Sequence, residues 1–196
     1  MAVASLTKMT VPLATDQSAS AQGLLMPKLK YRFRVSFIDI GRTAAGQGGE
    51  LTKQIMDFTR PNLNFNPITI DVYNSKLYLQ GKPEWQPVTI NIRDDVNGSV
   101  ASVIAAQLQT QFDFAEQASA RAGNDYKFQT KFEVLDGGNS GSASVLETWE
   151  LYGCFISEVN YNNFDYKDNE AATITLQLRY DNAAQIITGG GGAITG

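Results

Sequence analysis

The chain has 196 residues, enough for one domain with a substantial core; 43% of them are hydrophobic and only 18% charged. A formal net charge of −4 argues against a nucleic-acid-binding module, and zero histidines with a single cysteine, Cys154, remove an internal disulfide, most zinc sites and the common nucleophile–base pairs. No apolar run reaches transmembrane length and the N-terminus lacks the apolar centre of a signal peptide, so assembly in a cytoplasm away from any membrane is expected.

Residues 1–25 read as an N-terminal arm. Pro12 and Gly23 interrupt scattered Ala, Ser and Thr, and Val11, Leu13, Leu24 and Leu25 are too sparse to build a core. Such a segment is either a disordered terminus or one that orders against a neighbouring subunit. The domain itself is expected over residues 26–185. Tyr31, Phe33, Val35 and Phe37 alternate with Arg32, Arg34 and Ser36, which predicts a first strand ending at Asp39-Ile-Gly41. Lys28, Lys30, Arg32 and Arg34 make one positive face of that run. Residues 42–50 read as a flexible loop without the Lys-Ser/Thr ending of a phosphate-binding loop.

Pro61 and Pro67 cannot donate to a ladder, so residues 55–67 belong at an edge or a bend. Beyond Pro67 the apolar phase flips to Ile68, Ile70 and Val72. Residues 73–87 are turn-rich and read as a long connection whose Tyr78, Leu79 and Trp85 need cover; these three are the candidate anchors of a contact between subunits. Val88, Ile90 and Ile92 predict another strand. Val96, Val100, Ile104, Leu108 and Phe112 recur every four residues, which predicts one helix over about Val96–Gln117. Asp94, Asp95 or Asn97 can cap it, Gly123-Asn-Asp125 follows it, and its glutamines sit mainly on the other faces. Residues 126–135 alternate as a strand, and 136–144 form a Gly/Ser linker.

The chain is organised around its last strand pair, Val145 to Tyr180. Ile174, Leu176 and Leu178 alternate cleanly with Thr173, Thr175, Gln177 and Arg179, whereas residues 146–156 carry large apolar groups on both phases. A strand with two apolar faces is covered twice, once by its own core and once by something else. Cys154 lies in this run and reads as a small core residue. Residues 186–196 read as a flexible Gly-rich tail. Asp113 and Glu116 have the spacing of an acid or metal pair, but without histidine they read as solvated helix residues. No Gly-x-Ser-x-Gly elbow is present. The expectation is therefore no enzyme, no metal and no cofactor.

Four runs together carry a family resemblance: Lys28-Leu-Lys-Tyr-Arg-Phe-Arg-Val-Ser-Phe37, Arg60-Pro-Asn-Leu-Asn-Phe65, Glu150-Leu-Tyr-Gly-Cys-Phe-Ile-Ser-Glu-Val-Asn-Tyr161, and Glu170 to Asn182. In these and in the order of its elements the chain resembles the tail tube protein of contractile-tailed, T-even-like bacteriophages. The resemblance implies a mainly β fold, a small barrel or sandwich with one packed helix. It also implies six-subunit rings stacked into the inner tube of a virion's tail, assembled in the host cytoplasm. Implied partners are further copies of itself, a sheath protein, a tape measure protein, baseplate and tail terminator proteins. DNA would pass through the lumen without specific binding. Lys28, Lys30, Arg32 and Arg34 are then expected on faces between subunits or facing outward, paired with carboxylates of neighbouring subunits, with Arg32 and Arg34 as contact candidates. The alternatives are a baseplate-proximal tube initiator or the tube subunit of a secretion or injection machine, and, further off, an unrelated β-sandwich binding module.

Overall fold

A computed structural model describes residues 28–41, 48–120, 122–136, 143–167, 169–188 and 194. The chain divides into two units, Met1–Arg32 and Phe33–Gly196. Of the first, residues 28–32 form a turn in which the Arg32 N–H donates to the Leu29 carbonyl at 3.2 Å. Lys28, Lys30 and Arg32 thus precede the first strand instead of alternating along it. The expected arm over 1–25, with Val11, Leu13, Leu24 and Leu25, lies outside the described residues.

The second unit runs β1 (Phe33–Ile38), α1 (Gly48–Gln54), β2 (Ile55–Phe58), β3 (Leu63–Phe65), β4 (Ile68–Val72), β5 (Ser75–Leu79), β6 (Pro83–Trp85), β7 (Val88–Arg93), α2 (Ser99–Gln111), β8 (Phe112–Asp113), β9 (Ala118–Ser119), α3 (Gly123–Tyr126), β10 (Phe128–Leu135), β11 (Val145–Asn160), β12 (Thr173–Arg179) and β13 (Asn182–Ile187). It is mainly β, and its helices number three among the described residues where one was expected. α1 begins inside the expected 42–50 loop, and Leu51 anchors it in the core.

One antiparallel sheet has the order β1-β10-β11-β12-β7-β2, with β13 alongside β11. β1 and β2 end this path, so pairing among the described residues does not close a barrel. The long strand β11 joins the two halves. Its residues 147–152 pair with β13 and its residues 155–160 with β12. β13 therefore turns residues 182–187 into paired strand, two residues past the expected start of the tail. Ile194 bridges to Gln185, and the rest of the tail lies outside the described residues.

The mixed phase of β11 has a local cause. The buried residues are Glu147, Trp149 and Leu151, then Cys154 and Ile156. An extra residue between Leu151 and Cys154 moves the buried set from odd to even numbers, and the register against β10 shifts there. Gly153 supplies the left-handed φ of 67° that the bulge needs. What the sequence shows as two apolar faces is to that extent a single face seen across a bulge.

The core lies between this sheet and the helices. Val88, Ile90 and Ile92 of β7 stand opposite Leu178, Leu176 and Ile174 of β12, all six buried. Val100, Val103 and Ile104 of α2 belong to the same cluster. Full burial of each such side chain contributes about 1.5–3 kcal/mol. α2 is shorter than its apolar repeat suggested. Gly98 enters it with φ 68°, the Asp95 carboxylate accepts the Val100 N–H at 3.0 Å, and Val96 is left outside and fully exposed. At the other end Phe112 turns extended. The Asp113 carboxylate then accepts the N–H groups of Ala115 and Glu116, closing a turn where another helical turn was expected. Gln107, expected on a solvated face, is buried. Its Oε1 accepts the Gly41 N–H at 2.8 Å and its Nε2 donates to the Tyr126 carbonyl at 2.7 Å.

Candidate assembly interface

From Phe58 to Val88 the chain leaves the sheet and returns as one long arm. β2 and β7 pair within the sheet, β3 pairs β6 at the base of the arm, and β4 pairs β5 beyond it. Prolines sit at the breaks: Pro61 and Pro67 on the way out, Pro83 and Pro87 on the way back. Proline has no N–H to give a ladder, so pairing stops and the arm bends at these points. The 73–87 segment expected as an irregular connection is the return half of this arm. Tyr73 and Asn74 form its tip, Tyr73 with a φ of 43°.

The register of the tip hairpin sorts its side chains by chemistry. Ile68 stands opposite Leu79, Ile70 opposite Leu77 and Val72 opposite Ser75, on one face. Thr69 opposite Tyr78 and Asp71 opposite Lys76 make the other, with a 3.8 Å ion pair in the second couple. The apolar face is not covered by the described residues: every residue of β4 and β5 is exposed. A two-stranded hairpin is marginally stable alone in water, and one with an open apolar face is the usual mark of a contact surface.

Trp85 belongs to the base, not to this face. Its indole N–H donates to Asn182 Oδ1 at 3.2 Å and its ring lies 5.8 Å from that of Tyr180. Of the three expected anchors, Tyr78 and Leu79 stand on opposite faces of the exposed hairpin, while Trp85 packs back on its own subunit. The sequence shows the alternation of Ile68, Ile70 and Val72, but these and Leu77 were not among the expected anchors, although Ile-Thr-Ile-Asp-Val and Leu-Tyr-Leu flanking a short Tyr-Asn turn are a hairpin signature.

A second exposed apolar group stands at the other end of the strands. β7 starts at Val88, level with Leu178, and ends at Arg93, level with Thr173. The arm leaves at the Val88 end. The described residues of the connection from β11 to β12, 161–167 and 169–172, lie at the Arg93 end, where the Asp94 N–H donates to the Ala172 carbonyl at 2.9 Å. This end presents Tyr161, Phe164 at 85% exposure and Tyr166 at 109%, together with Val96. The loop is anchored: Asn162, with φ 49°, donates from Nδ2 to the Thr173 carbonyl at 3.0 Å and to Thr173 Oγ1 at 2.9 Å.

The two expected arginines separate. Arg32 belongs to the first unit, its guanidinium 5.4 Å from the Tyr31 ring centroid. Arg34, on β1, binds a carboxylate of its own subunit. Its Nε donates to Glu133 Oε2 at 2.7 Å, and Lys131 approaches the same carboxylate at 3.3 Å. Within the subunit this pair forms because Arg34 and Glu133 face each other across β1 and β10. Hydrogen bonds from backbone N–H groups hold the carboxyls of Asp95 and Asp113 below the usual range. Burial pushes the Cys154 thiol up to about 11. Among the described residues no group of three or more His, Cys, Asp or Glu could hold a metal ion, and no helix is long and apolar enough to cross a membrane.

No protein-family model matches the sequence, and no curated protein does. Solved structures do. A chain of the six-fold symmetrised cryo-EM structure of the anti-feeding prophage baseplate is similar with a TM-score of 0.61 at 11% identity, over 85% of this chain and 99% of that one. The two chains share a fold. A chain of the tube-terminating cap of the anti-feeding prophage matches with a TM-score of 0.59 at 15% identity, over 90% and 99%. A chain of the sheath-tube complex of the extracellular contractile injection system PVC, in its extended state, matches with 0.57 at 15%, over 88% and 99%. At these identities the likeness is one of fold: mainly β, strand-rich, with a few short helices.

Proposed function

We propose that the chain is a structural subunit of the tube in a contractile injection machine, forming rings that stack end to end. The observation that carries this reading is the β4–β5 hairpin, an apolar surface that the described residues build and leave uncovered, on a fold shared with injection-system chains. Ring formation also has a use for the open ends of the sheet. Pairing β1 of one copy with β2 of the next would remove both edges and make one continuous ring sheet. Six copies per ring follows the six-fold symmetry of the similar baseplate structure. Sheath and baseplate proteins are the natural partners of such a tube.

The purified chain, examined by sedimentation and negative-stain electron microscopy at rising concentration, should form rings and then tubes. A chain that stays monomeric at high concentration would instead be a β-sandwich binding module. A second reading, the inner tube of a phage tail, rests on the four sequence runs from Lys28 to Asn182 that resemble phage tail tubes. Particles isolated from the producing cells decide between them. Headless particles without DNA fit the injection machine; capsid-bearing particles whose tubes pass DNA fit the phage tail.

A further inference from the structure

Resting on the tube reading, we propose that stacking is head-to-tail through two different surfaces, the apolar β4–β5 face of one copy seating on the Tyr161–Phe164–Tyr166 loop of the next. The two surfaces leave the sheet at opposite ends of β7, so a copy carrying one at each end presents both to successive neighbours. Two unlike surfaces make a heterologous contact, which does not close on itself along the stack and therefore propagates.

Their chemistry matches. Ile68, Ile70, Val72, Leu77 and Leu79 offer a flat aliphatic face, and the loop offers exposed aromatic rings to lie on it. Their charges match as well. The arm carries Arg60, Lys76 and Lys82 against Asp71 and Glu84, whereas the described residues at the other end carry Asp94, Asp95, Asp165 and Glu170 against Arg93 and Lys167. A mildly cationic arm is thus steered to a mildly acidic seat. The seat is also built before contact. The Asn162 N–H is accepted by Asn160 Oδ1 at 3.0 Å and the Lys167 N–H by Asp165 Oδ1 at 3.0 Å, so little ordering is left to oppose docking.

Two variants test this. Ile70→Asp with Leu77→Asp disables the arm, and Phe164→Ser with Tyr166→Ser disables the seat; all four positions are exposed, and unchanged thermal melting confirms that both variants fold. Each alone should give single rings that do not lengthen. Mixed in equal amounts they should give ring pairs joined by one junction, since each then supplies the surface the other lacks. Copies carrying Leu77→Cys and copies carrying Phe164→Cys, mixed and treated with a flexible bis-maleimide, should cross-link to each other. Long tubes from the Phe164→Ser, Tyr166→Ser variant, a mixture without ring pairs, or an arm variant that loses its rings would each overturn the head-to-tail seating. If the unmodified chain forms neither rings nor tubes, the tube reading falls too; tubes from the unmodified chain with any of those results overturn the seating alone.

Discussion

Two glutamine side chains do the work of backbone in this fold. Gln107 bridges Gly41 on the β1 side to Tyr126 at the end of α3, and Gln111 completes a missing ladder position on β11. The Gln111 Nε2 donates to the Ile156 carbonyl at 2.9 Å and its Oε1 accepts the Ile156 N–H at the same distance. Gln107→Leu keeps the bulk but strands the buried Gly41 N–H and the half-buried Tyr126 carbonyl, and should cost about 1–3 kcal/mol in urea unfolding, mostly from the first. Gly153→Ala meets two obstacles, a left-handed φ and the Asp181 side chain, which is itself held by Lys127 Nζ at 2.6 Å. The backbone strain alone should cost about 1–2 kcal/mol, and the loss should appear in the same unfolding curves. Cys154, buried with its thiol pushed up to about 11, should resist maleimide in the folded protein at neutral pH and react on denaturation.

At the scale of elements, α2 is held along its length, by the buried Val100, Val103 and Ile104 and by Gln111 on Ile156 of β11. Ile104 is fully buried and Leu108 only half so. Ile104→Ala should therefore cost about 2–5 kcal/mol and Leu108→Ala distinctly less, measured by thermal or chemical unfolding. The carboxyls of Asp95 and Asp113 have folded pKa values below their unfolded ones. Their contribution is present above the ordinary carboxylate range and is lost as pH falls through the folded values. Acid should loosen both ends of α2, and Asp95→Asn with Asp113→Asn should flatten that region of the acid-unfolding curve. The strands β1, β7, β10 and β12 were legible because one strict period of two runs through each. α2 was legible as a helix but not in its limits, because Val96 and Phe112 continue the four-residue repeat after the backbone has left it. β11 was blurred by its bulge, which changes the phase without changing the composition. The arm was hardest to read: its faces obey the strand pattern, but nothing local says that an apolar face points away from the subunit's own core.

For the whole molecule, stability and assembly are expected to diverge. The arm beyond its base adds no residue to the buried core. Replacing residues 68–79 by a short Gly-Asn turn should leave the melting temperature of the isolated subunit nearly unchanged and abolish tube growth, read by calorimetry and light scattering on the same sample. A large loss of melting temperature would mean that the hairpin belongs to the fold after all.

The sheet order has a consequence for how the chain is made. Among the described residues of the subunit β1 pairs with β10 alone, and Arg34 stands 99 positions from its partner Glu133. At a ribosome, the first strand must therefore wait for most of the polypeptide to be translated before it has a neighbour, and such distant pairing closes slowly. The arm is synthesised, with its apolar side already complete, before the seat proposed for it, residues 161–172. A nascent copy can thus be grasped by finished copies before it can grasp one itself. On the proposed seating, growth onto existing tubes is favoured over premature association among half-made chains, and the order of the elements along the message sets a direction to assembly.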